Sequence, residues 1–234
     1  MPLKILVTGY PRGATRWAYR VLKAVGCDVG FCSVFTEDSS SQYTYKAVDE
    51  ASHDIEVSWF GAPFTRHPAL QDVKIVRLER HPLLVARSLV WLGVFSPAHN
   101  TYMKEWHRVM SRYVSKLKGE YGDCPEEASL YFVCEWADKI LELSEHEDTC
   151  VKVEDGENSL IGACGGDRAS LAGSISPCNA SGCSVSGDMT GITDSNVVSN
   201  MRRLLEDRKY ANMSGEERAW LGAYSNGPYV PSGV

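Results

Sequence analysis

The sequence predicts an α/β fold, three-layer with a central parallel sheet, and three observations carry that reading. Residues 4–9 (KILVTG) form a short apolar run, β-branched and closed by glycine, as expected of a buried strand. After a tight loop, residues 15–25 place Trp17, Val21, Leu22 and Val25 on one face at helical spacing. The same order recurs with a strand at 72–78 (DVKIVRL) and a helix from about 83 to 92. Pro82 suits the first turn of that helix, because the N–H it lacks would be unpaired there anyway. Two strand–loop–helix units in succession imply parallel strands joined by right-handed crossovers.

The remaining elements follow in order. The apolar segment 29–35 is expected as the second strand of the sheet, with Glu37 just past its carboxyl end. Residues 102–118 and 126–143 read as helices whose aromatics, Trp106, Tyr113, Tyr131, Phe132 and Trp136, serve packing. A further short strand at 150–153 ends in Glu154-Asp155. Residues 156–199 change character, with eight glycines, nine serines and three cysteines, and no aromatic occurs from 151 to 209. A structureless stretch of that length is uncommon in a compact domain, so a lid or an inserted loop is expected there. Order is expected to return at 197–209 and at 214–224, where Ser214 and Glu217 form a capping box. The whole, 1–234, is expected as one domain without internal repeats.

Composition fits a folded protein: of 234 residues, 44% are hydrophobic and 23% charged. The net charge of −6 argues against a dedicated nucleic-acid binder. Its distribution is informative. Residues 1–120 carry 16 basic and 11 acidic side chains, whereas 121–234 carry 8 and 19, so an anionic ligand is expected in the first half. No apolar run approaches the roughly 18 residues that span a bilayer, and Met1-Pro2-Leu3-Lys4 leads into the first strand without a signal pattern. No membrane partner and a cytoplasmic location are therefore expected. The eight cysteines show no C-x-x-C spacing and are expected as reduced structural thiols, with no metal site.

Two loops carry the chemistry. Tyr10-Pro11-Arg12-Gly13-Ala14-Thr15-Arg16-Trp17 joins the first strand to the first helix. Amides at a helix N-terminus, small residues that permit close approach, one hydroxyl and two guanidinium groups make a receptor for phosphate or sulfate. This is not a Walker A loop, which needs a lysine followed by Ser or Thr to hold magnesium beside a triphosphate. Arg80 ends the 72–78 strand, and Ser88 follows eight residues later on the next helix, suited to a second anionic group on the same sheet edge. The ligand described is one with two separated anionic groups.

These segments resemble the PAPS-dependent sulfotransferases. YPRGATRW is similar to their 5'-phosphosulfate loop, usually written YPKSGTTW, and VKIVRLERHPLLVARSL is similar to their 3'-phosphate segment, with Arg80 and Ser88 at the family's spacing. VKVEDGENSL and SGEERAWLGAYSNGPY resemble two further family segments. The resemblance implies a P-loop-like sulfotransferase fold and 3'-phosphoadenosine 5'-phosphosulfate (PAPS) as cofactor. It further implies transfer of a sulfuryl group to a hydroxyl or amine of a small-molecule or carbohydrate acceptor. It assigns Pro11, Arg12, Gly13, Ala14, Thr15, Arg16, Trp17, Arg80 and Ser88 to the cofactor, with Arg12 also catalytic. Arg12 replaces the family's usual lysine and Ala14 its usual glycine. Ser58-Trp59 stands where one branch has a catalytic histidine. Another branch uses a glutamate about twenty residues after the loop, which points to Glu37, 25 residues after Arg12; Asp38 and His67 are alternatives. Tyr43, Tyr45, Trp59, Phe60 and Phe64 are candidates for an acceptor site or for the core. The rival readings are a non-catalytic nucleotide-binding relative and a metal-dependent nucleotide kinase.

Overall fold

The computed structural model describes residues 2–40, 47–95, 101–114, 124–141, 149–167, 173, 175, 199–201 and 203–205, with the side chains of 101–105, 139 and 141 excepted. Five strands, β1 (Ile5–Gly9), β2 (Val29–Phe31), β3 (Ile55–Val57), β4 (Lys74–Glu79) and β5 (Thr149–Lys152), form one sheet in the order β2-β3-β1-β4-β5. Every pairing is parallel. The helices are α1 (Thr15–Ala24), α2 (Pro82–Trp91), α3 (Thr101–Tyr113), α4 (Pro125–Trp136) and α5 (Glu157–Ala163). The architecture is α/β, a parallel five-stranded sheet flanked by helices, as the sequence predicts.

The described chain groups into two compact units: Met1–Arg80 with Lys139–Cys183, and His81–Asp138 with Ser184–Val234. The first holds the sheet, α1 and α5. Its core follows from the period of two along each strand. Val7, Ile55, Val57, Val76, Leu78 and Val151 point to the face where α1 lays down Trp17, Ala18, Val21 and Leu22, and where α5 adds Leu160 and Ile161. Leu6 points the other way, against Gly61 of the 3-10 segment Trp59–Phe64, beside which Phe35 also lies. The central strand β1 is therefore covered on both faces. Full burial of side chains such as Leu6 and Leu22 contributes about 1.5–3 kcal/mol each.

The second unit packs α2 against α4. Phe132 and Trp136 of α4 are fully buried, their rings 5.3 Å apart, and Tyr113 of α3 meets Trp136 edge-on at 6.0 Å. Phe132 and Trp136 are core, and Tyr113 packs half-buried on Trp136, the packing role expected of these aromatics. Pro82 opens α2, and the Nδ1 of His81 caps it by accepting from the Leu83 N–H at 3.3 Å.

Three differences from the sequence reading have physical causes. The strand expected over 29–35 stops at Phe31, because Cys32 takes φ 50 and turns the chain. β3 was not foreseen: three residues are too few for a periodicity, although Ile55 and Val57 flanking Glu56 are the alternation of a strand. Within the Gly/Ser/Cys-rich stretch, 157–163 is a helix, since Leu160 and Ile161 find the sheet cluster. Most of the rest of that stretch, the capping box at 214–217 and the segment SGEERAWLGAYSNGPY lie outside the described residues.

Candidate functional site

The strand order locates the site. From β1 the chain passes through α1 to β2, two places to one side, whereas the strand that follows β4 in the chain is β5, its neighbour on the other side. From adjacent strands β1 and β4 the chain thus goes on to strands on opposite sides. That is the switch point at which open parallel sheets leave a ligand crevice outside the carboxyl ends of their strands. The two loops singled out in the sequence leave from these two strands.

In the β1–α1 loop the Gly13 N–H donates to the Tyr10 carbonyl at 2.8 Å, closing a four-residue turn with Pro11 second and Arg12 third. Proline presets the second position, and φ 65 at Arg12 makes the turn type II. Ala14 also lies at positive φ, 71, whereas Gly13 does not. Left-handed residues on both sides of Gly13 give the loop the alternating φ signs found in anion nests, while the Gly13 N–H itself is committed to the turn. Two non-glycine residues in the left-handed region cost roughly 1–2 kcal/mol each. Strain of this kind concentrates at functional sites. Gly13 is required: a Cβ there would lie 2.7 Å from the Tyr10 oxygen and 3.0 Å from its nitrogen, both backbone atoms.

Ala14 is the N-cap residue of α1 and has no oxygen with which to cap it. Ser, Thr, Asp or Asn would ordinarily stand there and satisfy one of the first amides. An uncapped N-terminus with its partial positive charge suits an external anion. Arg16 is exposed on the first turn, and Arg12 is half-buried. Thr15 is buried at the head of the helix. Trp17 has a different place from the one the resemblance implies: it is buried in the sheet cluster, and its indole N–H donates to the Ile175 carbonyl at 2.7 Å. It thereby ties the Gly/Ser-rich stretch to α1.

Arg80 joins the two loops. Its Nη1 donates to the carbonyl of Arg12 at 2.9 Å, so the guanidinium that ends β4 grips the strained residue of the β1–α1 loop. One of its five donors is committed to positioning that loop. Ser88 lies in the second unit, half-buried on the second turn of α2.

Glu37 and Asp38 are exposed in the turn after β2. His67 caps the 3-10 turn Pro68–Leu70, its Nδ1 accepting from the Ala69 N–H at 3.2 Å. Ser58 is fully buried at the carboxyl end of β3, donating to the Phe35 carbonyl at 2.8 Å. Trp59, Phe60 and Phe64 are buried core side chains, with Phe64 stacked on Phe35. Tyr43 and Tyr45 lie outside the described residues.

The sequence reading missed Glu56. It is wholly buried, yet it accepts four hydrogen bonds from the loop after β2: Ser33 N–H and Oγ at 2.7 Å each, Val34 N–H at 3.0 Å and Phe35 N–H at 3.4 Å. Burial pushes its carboxyl group above the ordinary range, and these donors oppose the shift. An acidic residue between two β-branched ones was the available signal.

The six described cysteines are free thiols. Burial pushes Cys134 and Cys164 up to about 12, which makes them poor nucleophiles. Among the described residues no cluster of His, Cys, Asp and Glu is arranged to hold a metal, and no helix is long and apolar enough to cross a membrane. No protein-family model matches this chain, and no curated protein matches it significantly.

Proposed function

We propose that this chain is a PAPS-dependent sulfotransferase with a P-loop-like sulfotransferase fold. The observation that carries the reading is the pairing of two basic loops at the switch point, with Arg80 hydrogen-bonded to the Arg12 carbonyl. A nest of alternating φ signs, an uncapped helix N-terminus and a glycine whose missing Cβ keeps the turn tight fit the phosphosulfate end of the donor.

PAPS would supply a sulfuryl group activated as a mixed anhydride. Arg12, always charged, holds the sulfuryl and bridging oxygens and stabilises charge without surrendering a proton. Thr15, Arg16 and the amides of the first turn of α1, with Pro11, Gly13 and Ala14 shaping the loop, hold the 5'-phosphate. Trp17 supports that turn from the core. Arg80 and Ser88 take the 3'-phosphate, and Glu37 accepts the proton of the acceptor hydroxyl or amine. In-line positioning and charge stabilisation do most of the work, as in phosphoryl transfer.

The test is a melting experiment with 3'-phosphoadenosine 5'-phosphate against AMP, followed by transfer of labelled sulfate to a panel of acceptors. A ligand present at about 100 times its Kd adds about 2.7 kcal/mol. For a chain of this size that is a rise in Tm of roughly 5–10 °C. The bisphosphate is expected to give such a rise and AMP much less. Equal effects would remove Arg80 and Ser88 from the reading, binding without turnover would leave a nucleotide-binding relative, and a magnesium requirement would favour the kinase.

A further inference from the structure

We propose that Glu56 is the positioning residue of the acceptor side: its buried carboxylate gathers the N–H groups of Ser33, Val34 and Phe35, folds the loop after β2 across β3 toward β1, and thereby sets where Glu37 stands. What Glu37 does there rests on the sulfotransferase reading; how the loop is held does not.

The path of the chain carries the argument. β2 is an edge strand, separated from β1 by β3, so a loop that simply continued its direction would leave Glu37 remote from the β1–α1 loop. Gly30 faces Glu56 across the β2–β3 ladder. A Cβ at Gly30 would collide with the His53 ring and with Ser33 Oγ, and would lie 2.8 Å from Glu56 Oε2. The missing side chain gives the loop room to turn straight back. Cys32, at φ 50, makes the turn.

The carboxylate then takes the place of an external anion. Oε1 accepts the three consecutive backbone N–H groups and Oε2 accepts the Ser33 hydroxyl. A carboxylate has about four acceptor sites, two on each oxygen, and here three donors converge on Oε1 while one meets Oε2. The Ser58 hydroxyl holds the Phe35 carbonyl at 2.8 Å. By Phe35 the chain has crossed β3: the ring, 1% exposed, lies beside Gly61, which abuts Leu6 of β1. Glu37 is two residues further on, at most about 7 Å of extended chain. A buried carboxylate loses hydration that only such donors replace, so the loop and the charge hold each other.

Amide hydrogen exchange on the full chain tests this without any acceptor. In Glu56→Gln the one amide oxygen can still meet the three N–H groups, but without the charge that strengthens those bonds, and the NH2 group replaces the oxygen that accepts from the Ser33 hydroxyl. Protection at Val34 and Phe35 is expected to fall about 10-fold or more, while Gly13 and α1 keep theirs and 3'-phosphoadenosine 5'-phosphate still raises the melting temperature. Ser33→Ala, at an exposed residue, removes one bond and is expected to give a smaller fall at the same amides, which decides the matter should Glu56→Gln not fold. With an acceptor in hand, Glu56→Gln is expected to lower kcat about 10-fold with the KM for PAPS unchanged, and Glu56→Asp to restore part of it. Unchanged protection in both variants overturns the proposal. So does a loss of bisphosphate binding in Glu56→Gln as large as its loss of turnover. A wild-type chain that binds no bisphosphate overturns the sulfotransferase reading alone, because the exchange at Val34 and Phe35 still reports on Glu56.

Discussion

The loop after β1 and the loop after β2 both reverse the chain with non-glycine residues at positive φ: Arg12 and Ala14 in the first, Cys32 in the second. Both present consecutive amides near the carboxyl edge of one sheet. They differ in what those amides meet. The second loop closes on a carboxylate from within the fold, Glu56, and is complete. The first carries guanidinium groups, a helix N-terminus without a side-chain cap, and Arg80 holding one of its carbonyls in position. A backbone nest is therefore not in itself a binding site. Its meaning depends on whether the protein supplies the anion or leaves that to a ligand.

The contrast can be broken most sharply at Arg12. If the first loop exists to meet an external anion in the transition state, Arg12→Ala should lower kcat by at least about 100-fold, the scale for removal of an oxyanion donor. Arg80→Ala should act instead mainly on affinity for 3'-phosphoadenosine 5'-phosphate. Steady-state kinetics with parallel binding measurements separate the two, and equal losses of affinity with turnover intact at saturation would contradict the assignment.

Cys32 sharpens the other side of the comparison. Burial first, then the charges of Glu56 and Glu37, push its thiol up to about 11, against a lowering contribution from the Ser58 hydroxyl. At pH 8 this leaves about 100-fold fewer thiolates than an ordinary cysteine, partly offset by greater intrinsic nucleophilicity, so alkylation should run about 10-fold slower. The rate should keep climbing until the pH passes about 11. Peptide-level mass spectrometry reads this directly, and an ordinary rate at pH 8 would mean that the second loop is open rather than closed on Glu56.

The smallest expected effect is at Ala14. Because φ 71 is strained for alanine and open to glycine, Ala14→Gly should stabilise the chain by up to about 1 kcal/mol, a rise in Tm of roughly 2–4 °C. Thermal denaturation measures it. A fall in Tm would show that the first loop is not strained in the way its dihedral indicates.

β1, α1, β4 and α2 were legible in the amino-acid order because each is long enough to show its period, and because Pro11, Gly13 and Pro82 mark where the chain must turn. The basic character of the β1–α1 loop and of Arg80 was legible for the same reason: charge and hydroxyl content are local properties. β3 and Glu56 were not. A three-residue strand has no period to detect, and a buried carboxylate resembles a solvated one until its donors arrive from more than twenty residues away. Trp17 and the Trp59–Phe64 aromatics illustrate the same limit, since a ring suited to a ligand and a ring suited to a core are the same residue type.

The sequence by itself determined β1, α1, β4 and α2 and which turn carries two arginines, because hydrophobic period and turn chemistry act over a few neighbouring residues. Only the tertiary structure decided the strand order that sets β1 beside β4, and with it the grip of Arg80 on Arg12 across 68 positions of chain. It also decided that the loop after β2 turns inward on Glu56. The physical reason is common to both: each contact pairs a polar group with a partner distant in sequence, and which partner it meets is settled by how apolar surfaces pack around the sheet, not by either residue alone.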